Sequence, residues 1–182
     1  AHSLPNLNRS NNEDYIKLMG LISHEFFHTW NVKRIKPQAF TPYNVAEENY
    51  TKLLWWFEGV TSYYDDLVLY RTGIIDQDQY LTIIVENLNN VYKFAGVTQQ
   101  SVANSSLTSW VKYYRQDENS PNSIVSYYVK GSLVALCLDL LLRSKSQFSL
   151  DSVMLHLFKL WQVNPIGVAE DEFPALIQAA TG

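Results

Sequence analysis

The feature that most constrains this chain is a pair of histidines four residues apart, His24 and His28, with a glutamate between them. In an α-helix, positions i and i+4 lie on the same face, so both imidazoles can bind one metal ion. Glu25 lies beside the pair and is placed to act on a water molecule activated by the metal rather than to bind the metal. The His-Glu-x-x-His pattern therefore predicts a helix that carries two ligands of a zinc site.

A third zinc ligand is predicted at Glu58, within the aromatic run Trp-Trp-Phe-Glu-Gly of residues 55–59. Catalytic zinc usually has three protein ligands and one open coordination position. The bulky aromatic neighbours indicate that Glu58 is buried, and a buried carboxylate must be paired or bound to a metal. The alternative is an ordinary solvent-facing glutamate in the middle of a helix.

Two polar side chains follow Glu58 at helical spacing, Thr61 at i+3 and Asp65 at i+7. They are therefore expected on the same face of the predicted helix as Glu58. From that face they can orient Glu58 or a histidine ligand by hydrogen bonds. A capping or surface role for both residues is the alternative.

These residues together predict zinc-dependent peptide hydrolysis. Bound zinc polarises a substrate carbonyl and lowers the pKa of its water towards about 7. Glu25 would accept a proton from that water and deliver it to the leaving amine. A purely structural zinc site conflicts with three ligands and no fourth ligand within reach in the sequence. A non-catalytic peptide-binding module is a further alternative, although such a module has no need of Glu25.

Composition fits one globular domain with a substantial core. Apolar residues make up 47% and charged residues 18% of the 182 residues, which excludes a disordered chain. The net charge of −4, with no basic stripe, argues against nucleic acid as a partner. No apolar run approaches the roughly 20 residues needed to span a membrane. Residues 1–5 resemble no signal peptide, so the sequence leaves the compartment open.

Apolar periodicity and capping signals predict a mainly α fold with little or no β-sheet. A capping-box pattern, Ser10 to Glu13, starts the histidine helix, and the helices are expected over residues 12–32, 47–72, 76–92, 127–143, 149–161 and 169–180. The first helix is expected to turn its apolar side chains to the core, namely Leu18, Leu21, Ile22 and Phe26. Residues 95–108 are predicted to be irregular and residues 117–123 to form a surface loop.

Three segments resemble the signature of the glycyl aminopeptidase family of zinc peptidases. They are His-Glu-Phe-Phe-His-Thr-Trp-Asn-Val-Lys-Arg-Ile-Lys-Pro at 24–37, Trp-Phe-Glu-Gly-Val-Thr-Ser-Tyr-Tyr-Asp-Asp-Leu at 56–67 and Ser-Tyr-Tyr-Val-Lys-Gly-Ser-Leu-Val-Ala-Leu at 126–136. More distantly, the motifs resemble aminopeptidase N and leukotriene hydrolase. The resemblance covers nearly the whole chain and implies a thermolysin-like catalytic domain.

Matched residue by residue, the resemblance implies a role for each member of the site. It assigns the zinc ligands to His24, His28 and Glu58. Glu25 matches the general base of the family. Tyr128 matches a tyrosine that stabilises the tetrahedral intermediate in the related aminopeptidases, and the adjacent Tyr127 is the alternative for that donor.

The resemblance also implies an activity, the release of small N-terminal residues, glycine or alanine, from peptides. An endopeptidase is the alternative within the same class, because both use zinc, a base and an oxyanion donor. Relatives carry an upstream Gly-Gly-x-Glu-His segment that helps to hold the free amine of the substrate, a β-rich N-terminal domain and a PDZ-like C-terminal domain. Residues 1–182 are therefore expected to be a single catalytic domain from a longer multidomain protein.

Overall fold

The computed structural model describes residues 13–181, and this part of the chain is mainly helical. Its α-helices are α1 Glu13–Phe27, α2 Thr61–Arg71, α3 Gln77–Tyr92, α4 Gly96–Gln99, α5 Val102–Leu107, α6 Ser120–Ser123, α7 Val129–Lys145, α8 Leu150–Val163 and α9 Phe173–Thr181. Two π-helical segments, Trp55–Val60 and Ser109–Tyr113, and one 3₁₀ turn, Gln38–Phe40, complete the helical structure. Within residues 13–181 the β pairing is limited to isolated bridges, so the expected mainly α class is confirmed.

Helix α3 begins as predicted because its start is encoded locally. The Asp76 side chain accepts a hydrogen bond from the Gln79 backbone N–H, and the Gln79 side chain accepts one from the Asp76 N–H. This reciprocal capping satisfies two backbone donors that the first turn leaves free. The other predicted capping box includes Ser10, which lies outside the described residues.

Several predicted boundaries are wrong. Helix α1 ends at Phe27 instead of extending to residue 32, because the chain turns sharply and Val32 has a φ of 126°. The helix predicted over 47–72 starts only at Trp55, as a π-helical segment that continues into α2. Residues 95–108, predicted to be irregular, contain α4 and α5, and the loop predicted over 117–123 contains α6.

The prediction that α1 buries its apolar side chains is also wrong. Leu21, Ile22 and Phe26 are 58%, 51% and 63% exposed, and no residue of α1 is fully buried. The reason is that α1 turns its histidine face towards α2, where the His24 side chain meets Asp65 and Phe27 stacks on Tyr64 at 4.6 Å. The inward face of α1 is therefore the predicted metal-binding face.

The core lies where the π-helical segment Trp55–Val60 and α2 pack against α7 and α8. Trp56, Phe57 and Val60 are completely buried, and Phe173 at the start of α9 covers Trp56 with ring centroids 4.4 Å apart. Burying Trp56 and Phe57 removes a large apolar surface from water, which stabilises the fold. No helix within residues 13–181 combines the length and the apolar character needed to cross a membrane.

Two glycines set the distance between the π-helical segment and α7. A Cβ atom on Gly59 would lie 2.6 Å from the Gly131 Cα, and one on Gly131 would lie 2.7 Å from the Trp55 carbonyl oxygen. Neither distance leaves room for a side chain, so only glycine permits this contact between the two backbones. Because Glu58 directly precedes Gly59 and Tyr128 lies three residues before Gly131, the contact also brings the two side chains to the same cavity.

Candidate metal centre

Three predicted ligands meet at one point between α1 and the π-helical segment. The Glu58 Oε2 atom lies 3.3 Å from the Nε2 atom of His24 and 3.3 Å from the Nε2 atom of His28. One donor atom from each residue falls within 4.8 Å of the other two. A zinc ion about 2.0–2.1 Å from each donor in tetrahedral geometry separates its ligand atoms by about 3.3 Å. The donor set and the two 3.3 Å separations therefore fit a zinc ion.

The outward nitrogens of both histidines are held by oxygen acceptors. His24 donates its Nδ1–H to the Asp65 Oδ2 atom at 2.8 Å, and His28 donates its Nδ1–H to the Asn31 carbonyl oxygen at 2.8 Å. These acceptors favour a proton on Nδ1, so each imidazole would offer its Nε2 lone pair to a metal ion once the Nε2 proton is lost. That is the tautomer that a zinc ligand needs.

Asn31 was missed as a site residue from sequence, although it lies in the segment that carries the resemblance. It is completely buried, and its Nδ2 donates to the Trp56 and Phe57 carbonyl oxygens, each at 3.3 Å. The same nitrogen donates to the Thr61 hydroxyl at 3.1 Å. Asn31 therefore fixes the turn after α1 against the segment that carries Glu58.

Thr61 forms hydrogen bonds with neighbours of the three ligands rather than with the ligands themselves. Its hydroxyl donates to the Phe57 carbonyl oxygen at 2.6 Å and accepts the bond from Asn31. The side chain is completely buried, which excludes the surface role considered for it. Its hydrogen bonds thus contact the backbone around Glu58 rather than the Glu58 carboxylate.

The ligand cluster attracts positive charge. Burial lowers the pKa of His24, but hydrogen bonds to Asp65 and Glu58 outweigh burial and raise it to about 9. Burial raises the pKa of Glu58, but hydrogen bonds from His24 and His28 outweigh it and lower the pKa to about 2. The same pocket that stabilises protons on the imidazoles would stabilise a divalent cation in their place.

The ligands open onto a cavity of about 520 Å³ whose wall also contains Glu25 and Tyr128. The Tyr128 ring centroid lies 6.3 Å from that of His24. Burial, a hydrogen bond with Tyr114 and the negative charge of Glu58 raise the pKa of Tyr128, so its phenol keeps the proton. Tyr127 is 1% exposed and lies outside this wall. Of the two adjacent tyrosines, Tyr128 is the one that lines the cavity.

Comparisons with known proteins agree with this architecture. A sequence profile for M61 glycyl aminopeptidase matches residues 17–134. The crystal structure of an aminopeptidase N family protein from Idiomarina loihiensis superimposes with a TM-score of 0.90 at 44% sequence identity. That match covers 96% of this chain and 30% of the other protein, so this chain spans less than a third of its relative. No match was found among the curated proteins.

The profile match covers well over half of the chain and includes the first two of the segments singled out in the sequence and most of the third, up to residue 134. The solved relative shares nearly the whole helical fold at an identity that leaves little room for a different architecture. The expected flanking domains stay a prediction. From the profile, the fold and the motifs together, we conclude that this chain belongs to the M61 glycyl aminopeptidase family of peptidases.

Proposed function

We propose that this chain hydrolyses peptides with a zinc ion held by His24, His28 and Glu58. The observation that carries the proposal is the convergence of two imidazole nitrogens and one carboxylate oxygen at tetrahedral spacing, 3.3 Å from Glu58 to each histidine. Zinc in such a site polarises a substrate carbonyl and makes water acidic enough to lose a proton near neutral pH. Asp65 and Asn31 support the site by fixing the two imidazoles.

Glu25 is the proposed general base and acid. It lines the cavity beside both histidines but is not among the three converging donors, so its carboxylate is left for proton transfer. It accepts a proton from the attacking water and returns that proton to the amine that leaves. Tyr128 donates its phenolic proton in a hydrogen bond to the carbonyl oxygen as this oxygen gains negative charge.

By family membership we propose that the activity is that of an aminopeptidase that releases glycine or alanine. The alternative is an endopeptidase with the same zinc, base and oxyanion donor. Peptides with free and with acetylated N-termini separate the two, because an aminopeptidase requires the free amine. Cleavage of both sets at similar rates would rule out the aminopeptidase.

The central experiment measures zinc content and hydrolysis on the same purified samples of the full chain. We expect about one zinc ion per chain, lost in Glu58→Ala, because two imidazoles alone hold zinc weakly. In Glu25→Gln we expect zinc to be retained and hydrolysis to be abolished. Full activity of Glu25→Gln would refute the assigned base, and a zinc-loaded chain with no activity on any peptide would favour a non-catalytic binding module.

A further inference from the structure

A second and larger cavity lies beside the metal centre. It encloses about 610 Å³ and shares Leu21, Asp65 and Tyr128 with the cavity around the ligands. Its remaining wall comes from α1, α2, α3 and the first turn of α7. A peptide held at the metal centre can therefore extend a side chain into this neighbouring space.

The walls of this second cavity combine apolar surface with negative charge. Ile16, Ile83 and Val129 supply apolar surface on three sides. Four carboxylates and a single lysine complete the charged lining, namely Glu13, Asp65, Asp66, Glu86 and Lys17. A chemically matched ligand is a long aliphatic stem that ends in a cation, because the stem packs on the apolar wall and the cation meets the carboxylates.

Among residues 13–181, the pairing of charged side chains leaves Asp66 without a partner. Glu13 pairs with Lys17 at 3.7 Å, and Asp65 is bound to His24 at 2.8 Å. In contrast, no residue among 13–181 forms a side-chain hydrogen bond or an ion pair with the Asp66 carboxylate. A largely buried carboxylate without a partner is unfavourable, so a cation that enters the cavity gains a binding partner that the fold does not supply.

The raised pKa of Asp66 is what we expect for a carboxyl group with no cation beside it. Burial and the neighbouring charge of Asp65 raise the pKa of Asp66 to about 7, against a usual value near ~4. A lysine or arginine side chain beside Asp66 would reverse this shift by favouring the ionised carboxylate. Glu86, on the exposed surface of α3, adds negative charge at the cavity wall.

We propose that this cavity binds the cationic side chain, of lysine or arginine, that a peptide substrate carries on the residue after the scissile bond, with Asp66 as its counter-ion. The inference rests on the proposed function. Because glycine or alanine is the residue released, the large side chain has to come from the residue that follows the cleaved bond. The chain would thus prefer peptides that begin Gly-Lys or Ala-Arg.

The test measures binding separately from hydrolysis. Affinities of Gly-Lys-Ala-Ala, Gly-Leu-Ala-Ala and Gly-Glu-Ala-Ala are determined by calorimetry on the zinc-loaded full chain carrying Glu25→Gln, which keeps each peptide intact. We expect the lysine peptide to bind about tenfold more tightly than the leucine peptide, as for one buried charge-assisted hydrogen bond. Adding Asp66→Asn should remove most of this preference, whereas the exposed Asp78→Asn should leave it unchanged.

Equal affinities for the lysine and leucine peptides, or no measurable binding of either, would overturn the inference without any need for the Asp66 variant to fold. If Asp66→Asn lowered the affinities for the lysine and leucine peptides by the same factor, the inference would be overturned as well. Release of glycine from the same peptides by the zinc-loaded chain with intact Glu25 tests the proposed function on its own. Tighter binding of the lysine peptide without any hydrolysis would count against the proposed activity but would support the inference that the cavity binds a cationic side chain.

Discussion

The two imidazoles of the proposed metal centre differ in their hydrogen-bond acceptors. His24 donates to a carboxylate, Asp65, whereas His28 donates to a backbone carbonyl, that of Asn31. A carboxylate acceptor increases the electron density on the imidazole and so strengthens the bond from the opposite nitrogen to a metal. Side-chain substitution can remove only the first of these acceptors, which makes Asp65 the better position for testing their role.

We expect Asp65→Asn to lower zinc affinity about 10–100-fold, the usual effect of losing such a carboxylate. Asparagine keeps the size of the side chain but removes the charge opposite His24. Zinc affinity is measured by competition with a chromophoric chelator. The exposed Asp171, far from the ligands in sequence, provides the control as Asp171→Asn. Unchanged zinc affinity in Asp65→Asn would assign this aspartate a purely structural role.

Tyr127 and Tyr128 have the same side-chain chemistry but differ in burial. Tyr128 lines the cavity at the metal centre, and Tyr127 is buried against Tyr113 and Tyr128 with ring centroids 4.9 Å and 4.6 Å away. We expect Tyr128→Phe to reduce kcat by about 10²–10³ while zinc content stays unchanged, because an oxyanion donor acts mainly in the transition state. Steady-state kinetics on a glycine-releasing substrate measure the effect.

Two further variants make the tyrosine experiment decisive. Tyr127→Phe should retain most of the activity, since its hydroxyl contacts Tyr114 and its side chain does not line the cavity. Tyr92→Phe, at a side chain that is 70% exposed on α3, controls for the loss of a phenol elsewhere. A large loss in Tyr127→Phe with none in Tyr128→Phe would move the assignment to the neighbouring residue.

At the scale of elements, the site depends on how closely the π-helical segment approaches α7. Gly59 and Gly131 touch backbone to backbone, and this contact fixes the spacing between Glu58 and Tyr128. Overpacking a buried contact typically costs about 1–3 kcal/mol of stability. A Cβ atom at Gly59 would meet backbone rather than a flexible side chain, so the two elements themselves would have to separate.

We therefore expect Gly59→Ala to lower the free energy of unfolding by about 2–3 kcal/mol and to weaken zinc binding together with stability. Gly20→Ala in α1 is the matched control, because a Cβ atom there meets nothing within 4 Å. Gly20→Ala should raise the free energy of unfolding by up to about 1 kcal/mol, because alanine has a higher helix propensity than glycine. Denaturant titrations measure both variants. Equal stabilities of the two would show that the backbones separate at little cost.

Elements with local signals could be predicted from sequence, and those set by tertiary contacts could not. Helix α3 carries its own capping box at Asp76, and the i, i+4 spacing of His24 and His28 is a local property of the last turn of α1 and the residue that follows it. The end of α1 depends instead on a turn in which Val32 takes a φ of 126°, a conformation that a β-branched residue seldom adopts. Nothing in the residue type signals such a turn.

The same distinction explains which residues of the candidate site could be predicted from the sequence. Glu58 stands out because a carboxylate among tryptophans has to find a partner. Asn31 has no such signal, since its role comes from a backbone carbonyl facing His28 and from an amide facing the carbonyls of Trp56 and Phe57. These contacts exist only after α1 has packed against the π-helical segment. The exposed apolar face of α1 was mistaken for the inner face for the same reason.

At the scale of the whole molecule, a buried aspartate connects α2, α7 and α8 by hydrogen bonds. Asp139 of α7 is 3% exposed and accepts hydrogen bonds from the Tyr63 hydroxyl of α2 at 2.6 Å and the Leu150 backbone N–H of α8 at 2.7 Å. The Arg143 side chain donates to it at 2.8 Å. Because α2 continues from the segment that carries Glu58, this network supports the candidate site through α2.

The lowered pKa of Asp139 predicts that the stability of the fold depends on pH. Burial alone would raise the pKa, but the hydrogen bonds from Arg143, Tyr63 and Leu150 outweigh burial and lower it. A carboxyl whose pKa is lower in the folded than in the unfolded chain stabilises the fold above its unfolded pKa, near ~4. That stabilisation is lost as the pH falls through the lower, folded-state pKa.

We expect Asp139→Asn to lower the free energy of unfolding by about 2–3 kcal/mol at pH 7, the range for loss of charge-assisted hydrogen bonds at a buried site. Asparagine cannot titrate, so the difference from the unsubstituted chain should shrink as the pH falls below about 4. Urea titrations from pH 3 to pH 7 measure this difference, with the exposed Asp171→Asn as control. A difference that stays constant over this range would mean that Asp139 acts by shape and hydrogen bonding alone. A difference that shrinks would show that its charge holds α2, α7 and α8 together, and that acid loosens the support behind Glu58.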